Sequence, residues 1–296
     1  MLNILVTGST GNVGVEVIKS LMKLSLPLNI IAGVRDAITD SDKLKDYNIN
    51  TVKFNIEDSS TFAAAFHTID VVFLMRPPQI SDVKKYFKPL IDSAVEARIK
   101  HIVFLSVQGV EKNSKIPHHK IEKLIVESNI AYTFLRPAYF MQNFSTTLRN
   151  EIVNKQRIFL PAGNAKFTLV DVSDIGSVAA AILTNPPNYI NKCYDLTCHE
   201  KLTFYEMAEK LSEGLGKNII YESPDIFTFY LTKRKEKMSP MLVLVMIMLH
   251  FFPRFQKEPC TTDCVEIITG KQPTTFQQFI YNNKKLLTQQ EKVNSR

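Results

Sequence analysis

The chain has 296 residues, 45% of them hydrophobic and 22% charged, which allows a sizeable buried core and excludes disorder as its main state. Its net charge of +7 permits anionic partners, but no nucleic-acid-binding motif accompanies it, so no nucleic-acid partner is expected. Part of the charge lies in one basic cluster, Lys233, Arg234, Lys235 and Lys237, which we expect to form a solvated loop.

Apolar runs alternate with helical patterns in the first half of the chain. Strands are predicted at 2–6, 28–34, 51–54, 70–75, 101–106 and 132–135. Helices are predicted at 13–24, 62–66, 83–98 and 118–128. This alternation, with continuous apolar runs at 71–74 and 102–105, indicates buried parallel strands with helices on both faces. We therefore predict an α/β fold with a Rossmann-type doubly wound parallel sheet.

Beyond residue 150 the alternation loosens. Further strands are predicted at 167–170 and 193–196, and helices at 174–183 and 204–215. Thr203 and Glu206 have the spacing of a capping box at the start of the last of these helices, and Gly214 and Gly216 are expected to end it. We predict a first domain at 1–150, a region at 151–287 that completes the sheet and adds a small, mostly helical lobe, and a flexible tail at 288–296.

The most apolar run lies at residues 241–252 and has basic flanks. It is far shorter than the roughly 20 residues of a membrane-spanning helix, so no membrane span is predicted. Basic flanks are typical of a helix that lies on a membrane surface, but this run is apolar on all sides. We therefore expect a buried helix, or a helix that lines an apolar pocket.

The cysteines indicate the redox environment of the chain. The four of them, Cys193, Cys198, Cys260 and Cys264, form no CxxC pair, and no His/Cys cluster completes a zinc site, so no metal centre is predicted. The sequence opens directly on a strand, without the basic n-region of a secretory signal peptide. A cytoplasmic location with reduced thiols is therefore expected.

Residues 7–14 read Thr-Gly-Ser-Thr-Gly-Asn-Val-Gly and join the first predicted strand to the first helix. Gly8 permits a tight turn, Gly11 lets the backbone approach a pyrophosphate, and Gly14 allows the helix to pack closely. The amides at the helix start and the helix dipole attract negative charge. Between a strand and a helix, this motif predicts a bound nicotinamide dinucleotide.

The end of the second predicted strand bears on which dinucleotide is bound. An arginine at this place accommodates the 2′-phosphate of NADP, whereas an acid bonds the 2′-hydroxyl of NAD. Because Arg35 precedes Asp36, we favour NADP(H) as the cofactor, with NAD(H) as the alternative. Asp36 then has the simpler role of capping the turn.

Later segments of the chain follow in a defined order: SVQGV at 106–110, HHKIEKL at 118–124, YTFLRP at 132–137, FMQNF at 140–144, FTLVDVSDI at 167–175 and TGKQPTTF at 269–276. With the GxxGxxG spacing of the loop, this set resembles the NmrA-like family of atypical short-chain dehydrogenases/reductases, from residue 1 to about 281. The resemblance implies a seven-stranded Rossmann sheet, a small C-terminal lobe and a cleft between them. It also implies a dinucleotide along residues 8–14, with 74–77 beside its ribose and 137–140 near its nicotinamide.

These inferences define the candidate site. The candidate cofactor-binding residues are Gly8, Ser9, Thr10, Gly11, Asn12, Val13, Gly14, Arg35, Leu74, Met75, Arg76, Pro137, Tyr139 and Phe140. Tyr139 and Phe140, with Met141 and Phe144, are also the candidate wall of an apolar substrate pocket, with ordinary core packing as the alternative. Residues 241–252 are a candidate lid over that pocket.

The catalytic residues depart from the superfamily pattern. Classical members use a Tyr-x-x-x-Lys pair, and counting back from Glu122, which resembles the family's helix glutamate, those places hold Ser114 and His118. Ser114 is no obvious replacement for a phenol, whereas His118 can donate a proton near neutral pH, or else is only a polar residue at a helix start. The sequence does not identify the catalytic residues; the candidates are His118 and Ser106, which directly follows the fifth predicted strand.

Two functions follow from the resemblance. The first is an NAD(P)H-dependent oxidoreductase that passes hydride to a small apolar acceptor such as a quinone, since hydride transfer needs mainly cofactor placement and a pocket. The second is a non-catalytic NAD(P)-binding sensor with a regulatory protein partner, suggested by the missing Tyr-x-x-x-Lys pair. An epimerase is disfavoured because its chemistry requires the tyrosine. We favour the reductase, as a monomer or homodimer.

Overall fold

The computed structural model describes residues 1–36, 40 and 44–289. Its strands are β1 (Leu2–Val6), β2 (Leu28–Val34), β3 (Asn50–Lys53), β4 (Val71–Met75), β5 (His101–Leu105), β6 (Ala131–Pro137), β7 (Tyr139–Phe140), β8 (Arg157–Phe159), β9 (Lys166–Val170), β10 (Lys192–Leu196), β11 (Lys201–Thr203) and β12 (Ile220–Glu222). Its helices are α1 (Asn12–Met22), α2 (Phe62–Phe66), α3 (Val83–Glu96), α4 (Pro117–Glu127), α5 (Gln142–Ser145), α6 (Arg149–Lys155), α7 (Val172–Thr184), α8 (Phe204–Leu215), α9 (Ile226–Lys235), α10 (Pro240–Phe251), α11 (Cys264–Thr269), α12 (Phe276–Asn282) and α13 (Lys284–Thr288). A flexible tail was predicted at 288–296. Thr288 is the last residue of α13, and residues 290–296 lie outside the described residues.

The described residues form two compact units. The first unit comprises Met1–Ala138, Val172–Leu196 and Asp263–Gln272, and the second comprises Tyr139–Asp171, Thr197–Thr262 and the chain from Pro273 onward. The sequence placed its first limit at residue 150, whereas the chain enters the second unit at Tyr139, because β7 pairs with β9 inside that unit.

Seven parallel strands form the central sheet of the first unit, in the order β10-β6-β5-β4-β1-β2-β3. Every residue of β5 is buried, as a strand covered by helices on both faces requires. The order reverses between β1 and β4, since β2 and β3 extend the sheet on one side and β4 to β6 on the other. Ligands bind at the carboxyl ends of the strands at such a switch point. The predicted Rossmann-type α/β fold is confirmed.

Helices α1 and α7 of the first unit pack against each other at a glycine. A Cβ atom at Gly176 would lie 2.6 Å from the carbonyl carbon of Glu16, closer than a side chain tolerates. We expect Gly176→Ala to lower the free energy of unfolding in urea by about 1–3 kcal/mol, the usual cost of overpacking. Ser177→Ala, at an exposed position of the same helix, should stay within about 0.5 kcal/mol of the wild type. Equal stabilities of Gly176→Ala and the wild type would contradict this packing.

The second unit is mostly helical and has its own core. Two small sheets, β11-β9-β7 and β12-β8, accompany α8 and α12 around buried aromatic rings that include Phe144 and Phe276. The predicted capping box is confirmed, because Thr203 Oγ1 accepts the Glu206 amide at 3.2 Å and Glu206 Oε2 accepts the Thr203 amide at 2.7 Å. Helix α8 has the predicted limits and ends before Gly216, which adopts the left-handed conformation. Gly214 does not end the helix as predicted, because it lies inside α8, where a Cβ would be 2.6 Å from Ile280 Cγ2.

The basic cluster is not the solvated loop that the sequence suggested, because it forms the last turn of α9 and the residues just beyond. Lys233 is buried, with its Nζ 2.5 Å from Glu151 Oε1 and 2.9 Å from Glu236 Oε2. Glu151 also accepts a hydrogen bond from Arg157 Nε at 2.8 Å. Burial alone would raise the pKa of Glu151, but the hydrogen bonds from Lys233 and Arg157 lower it to about 2.

Residues 241–252 correspond to α10, and only one side of this helix is buried. Its inward side chains are Val243, Met246, Ile247 and His250. Met241, Leu244 and Met248 are exposed, so the expectation of a buried helix is wrong, and the alternative of a helix that lines an apolar pocket stays a prediction. Within the described parts of the chain, no helix is long and apolar enough to cross a membrane.

Candidate functional site

The glycine loop follows β1 at the carboxyl edge of the sheet. Gly8 has a φ of +60°, and a Cβ there would lie 2.2 Å from Met75 Sδ, so the turn and its packing require glycine. A Cβ at Gly14 would lie 2.2 Å from the Gly8 carbonyl oxygen, so this glycine lets α1 pack on the loop itself. A Cβ at Gly11 would meet only that same oxygen, at 3.3 Å. The protein therefore leaves the space in front of Gly11 largely open.

The start of α1 is suited to an anion. Gly11 is its N-cap residue and has no side chain with which to cap the first-turn amides of the helix. The helix dipole adds partial positive charge at the same place. Gly8 and Asn12 are exposed and Thr10 is half-buried, whereas Ser9 and Val13 are buried. The predicted loop residues thus divide into some that can meet a ligand and others that support the loop.

Two hydroxyl groups hold the loop in place. Ser9 Oγ donates to the Gly33 carbonyl at the end of β2, at 2.8 Å. Thr7 Oγ1 accepts the Met75 amide at the end of β4, at 3.0 Å. These bonds bring the predicted segments at Arg35 and at 74–77 to the loop. The Ser9 side chain is consequently structural, and only its backbone remains for a ligand.

The end of β2 is shaped by a residue that the sequence analysis missed. The buried Asp40 carboxylate accepts the backbone amides of Arg35 and Asp36, at 3.2 and 3.3 Å. The backbone of Arg35 is thus anchored by Asp40, while the residue is exposed and its side chain is accessible to a ligand. Aspartate commonly bonds nearby backbone amides in turns, and this was the available signal for Asp40.

The segment after β4 has a structural arginine. Arg76 Nη1 donates to the carbonyls of Pro77, Pro78 and Ile80, at 3.0, 3.0 and 2.6 Å. This guanidinium therefore fixes the loop beside the glycine motif. Leu74 lies in the hydrophobic core of the first unit, so only its backbone is left to contact a ligand beside this segment.

His118 does not have the properties expected of a proton donor. Arg76 Nε lies 3.5 Å from His118 Nε2 and donates toward it. Burial, and then the charge of Arg76, lowers the pKa of His118 to about 4. The imidazole is therefore neutral at physiological pH, which corrects the expectation of a histidine that titrates near neutrality. Ser114, at the other place of the superfamily pair, is exposed.

Ser106 directly follows β5 at the same edge of the sheet. It is buried, and its amide donates to the Leu135 carbonyl at 2.7 Å. Its Oγ has no hydrogen-bond partner among the residues that the structure describes. Buried hydroxyl groups nearly always have partners, so an isolated one at this edge fits a polar ligand group.

Glu122 has a structural partner. Its carboxylate accepts two hydrogen bonds from Arg136, from Nε at 3.1 Å and from Nη2 at 2.7 Å. This bidentate pair links α4 to β6. Pro137, which ends β6, accepts the Gln108 amide at 3.0 Å.

The remaining predicted residues belong to the second unit. Tyr139 Oη lies 3.1 Å from His250 Nε2, and His250 Nδ1 lies 2.6 Å from the Met246 carbonyl. Burial raises the pKa of Tyr139 and lowers that of His250 to about 4, so Tyr139 donates to a neutral imidazole. Phe140 is half-buried.

Met141 and Phe144 are core residues. Both have 0% exposure, and the Phe144 ring centroid lies 4.8 Å from that of Phe276. Their predicted place in a substrate wall is therefore wrong, because neighbouring side chains cover them completely. Only Tyr139 and Phe140 keep surface for such a wall. No group of acidic, histidine or cysteine residues in the described ranges is arranged to hold a metal ion.

The sheet order and the glycine loop define a Rossmann-type protein of the dinucleotide-binding class. The model of the NmrA-like family matches residues 2–246, and the chain belongs to that family.

Known relatives cover nearly the whole chain. Prestalk A differentiation protein A of Dictyostelium discoideum is 29% identical over 278 residues, 94% of this chain and 91% of its own. NAD(P)H azoreductase of Xenophilus azovorans is 29% identical over 285 residues, 93% of this chain and 96% of its own. Among solved structures, triphenylmethane reductase of Citrobacter sp. in complex with NADP(H) has a TM-score of 0.84 at 23% identity, over 95% of this chain and 99% of its own, a likeness of fold.

Proposed function

We propose that the chain is an NAD(P)H-dependent oxidoreductase that transfers hydride to a small apolar acceptor such as a quinone. The observation that carries the proposal is the open space at Gly11 before a helix without a side-chain cap. Amides in this arrangement bind a pyrophosphate, and the isolated Ser106 hydroxyl offers a further polar contact at the same sheet edge. The azoreductase relative supports the same reaction class.

The cofactor would supply the hydride, and the chain's own residues would position it. The first-turn amides of α1 would hold the pyrophosphate and Arg35 the adenosine end, while Thr7 and Ser9 keep the loop in register. Tyr139 and Phe140 would provide apolar surface to the acceptor. A quinone that accepts hydride becomes a hydroquinone anion, which takes its proton from water, so a neutral His118 is compatible with this reaction.

The sensor with a protein partner remains the second candidate. It is favoured because Ser114 and His118 occupy the places of the Tyr-x-x-x-Lys pair, and because the pKa of His118 is low.

We also propose that the chain is cytoplasmic and forms a monomer or a homodimer. Helix α10 remains the candidate lid over the substrate pocket.

The test is an activity panel with the purified chain. We expect oxidation of NADPH, followed by its absorbance, with quinones or azo dyes as acceptors. The reductase proposal fails if NADPH binds but no acceptor accelerates its oxidation above background. The sensor proposal gains if binding instead changes the protease sensitivity of the chain.

Cofactor choice should depend on Arg35. An arginine bonded to a phosphate contributes about 1.5–3 kcal/mol, so Arg35→Ser should raise the Kd for NADPH by roughly 10- to 150-fold while that for NADH changes little. The Kd values come from fluorescence titration. Lys271→Ser removes an exposed charge elsewhere in the first unit and should change neither value. If Arg35→Ser weakened the binding of NADPH and NADH equally, a contact between Arg35 and the 2′-phosphate would be contradicted.

A further inference from the structure

The outward side of α10 carries only apolar side chains. Met241 is 71% exposed, Leu244 52% and Met248 48%, and Leu249 is exposed beside them. At 100° per residue these positions share one face, opposite the side that packs into the core of the second unit. The one titratable residue of α10, His250, is on the buried side. Such a continuous apolar face is uncommon on a protein surface exposed to water.

Two exposed phenylalanines follow the end of α10. Phe252 and Phe255 are both exposed, and the guanidinium of Arg254 lies 5.1 Å from the Phe251 ring. We refer to Met241, Leu244, Met248, Leu249, Phe252 and Phe255 together as the α10 surface. Scattered apolar residues are normal on a surface, but a helix face made only of exposed apolar side chains and followed by two exposed phenylalanines is typical of an interaction site.

Cations border the α10 surface at both ends. Lys235 and Lys237 are exposed shortly before α10 begins, and Arg254 and Lys257 are exposed after it ends. Two carboxylates close to them in the chain are engaged elsewhere. Glu236 contacts Lys155 and Lys233, at 2.5 and 2.9 Å, and Glu258 contacts Lys201 and Lys166, at 3.2 and 3.5 Å. The border of the apolar surface is therefore positively charged.

We propose that the α10 surface docks on an anionic lipid bilayer. Apolar side chains would enter the interfacial region, and the bordering lysines and arginine would meet acidic headgroups, the combination that holds peripheral proteins on membranes. Helix α10 has 12 residues, about 18 Å of helix, so it lies along a bilayer rather than across it. This docking goes beyond the proposed reductase function and does not depend on it.

Charge favours a bilayer over a second copy of the chain. A two-fold dimer presents the same surface from both copies, so antiparallel α10 helices would bring Lys235 and Lys237 of one copy toward Arg254 and Lys257 of the other. Like charges placed opposite each other destabilise such a pairing. An anionic bilayer neutralises both ends at once.

The test is co-sedimentation of the full chain with lipid vesicles at low salt. We expect at least about tenfold stronger binding to phosphatidylcholine vesicles containing about a third phosphatidylserine than to phosphatidylcholine alone. The Leu244→Glu/Met248→Glu variant should lose at least about tenfold of this binding. Lys235→Gln/Lys237→Gln changes only exposed residues and should weaken vesicle binding about fivefold for each charge removed. Added salt should also weaken the binding of the wild type, because it screens the attraction to the anionic lipid.

A matched control separates the α10 surface from general hydrophobicity. Ile267→Glu changes a 76% exposed apolar residue in α11 of the first unit and should bind vesicles like the wild type. The proposal is overturned if the wild type does not bind the anionic vesicles, or if Leu244→Glu/Met248→Glu binds as well as Ile267→Glu. It is also overturned if sedimentation equilibrium finds a wild-type dimer that Leu244→Glu/Met248→Glu abolishes, since the surface would then join two copies.

Discussion

Replacing Gly11 with valine should strongly weaken dinucleotide binding while leaving the fold intact. Gly11 has φ −88° and ψ 167°, an extended conformation that valine adopts readily, and the valine Cβ would meet only the Gly8 carbonyl oxygen, at 3.3 Å, a tight contact that a shift of a few tenths of an ångström relieves. The valine side chain would instead fill the space before the first-turn amides of α1. We expect the Kd for NADPH to rise at least about a hundredfold, a loss of about 2.7 kcal/mol, in a fluorescence titration.

Two further variants define the origin of that loss. Gly11→Ala has a smaller side chain and should weaken NADPH binding less than Gly11→Val. Gly14→Ala places a Cβ 2.2 Å from the Gly8 carbonyl oxygen, so it should lower the melting temperature more than Gly11→Val, whose Cβ would lie 3.3 Å from the same oxygen. If Gly11→Val bound NADPH as tightly as the wild type, the pyrophosphate would have to lie elsewhere.

Replacing Glu151 with glutamine should cost about 3 kcal/mol of unfolding free energy at neutral pH. The buried Glu151 carboxylate accepts hydrogen bonds from Lys233 and Arg157, and Glu236 is the other carboxylate in contact with Lys233. Removing one partner of a buried ion pair leaves a charge without adequate compensation. Urea denaturation measures the difference, with Glu213→Gln, at an exposed position of α8, as the control that should change it by less than about 0.5 kcal/mol.

The same carboxylate gives the stability of the chain a pH dependence of known sign. The pKa of Glu151 is lowered from an ordinary 4.5 to about 2 in the folded state. Its stabilising contribution is therefore fully present above about pH 4.5 and is lost as the pH falls toward 2. The difference in unfolding free energy between the wild type and Glu151→Gln should therefore decrease as the pH falls over that interval. A difference in unfolding free energy that stays constant, or that increases in acid, would contradict the lowered pKa of Glu151.

The sheet of the first unit was predictable because its physics is local. Buried parallel strands require continuous apolar runs, and the runs at Val71–Met75 and His101–Leu105 appear where the sequence predicted them. Helix α8 was predicted to the residue because Thr203 and Gly216 mark its ends chemically. Both signals are contained in a few neighbouring residues.

The second unit depends on partners far apart in the chain, which a single sequence does not reveal. Strand β7 has two residues and exists because it pairs with β9. Lys233 is buried because Glu151, 82 positions away, accepts its charge. The run 241–252 is apolar on all sides, so its pattern could not distinguish the buried face of α10 from the exposed one.

The candidate site divides in the same way. The glycine loop was predictable from spacing alone, since turn geometry and helix packing fix where glycine must stand. The surroundings of His118 were not, because its low pKa arises from burial and from Arg76, 42 positions earlier. The isolated hydroxyl of Ser106 likewise follows from what surrounds β5 in space.

Titration of the unmodified chain with NADPH and NADH, followed by nicotinamide fluorescence, tests the central claim most directly. With the dinucleotide at the start of α1 and Arg35 at its adenosine end, saturable binding of one NADPH per chain is expected, tighter than that of NADH. Absence of a saturable signal with both dinucleotides would contradict the account.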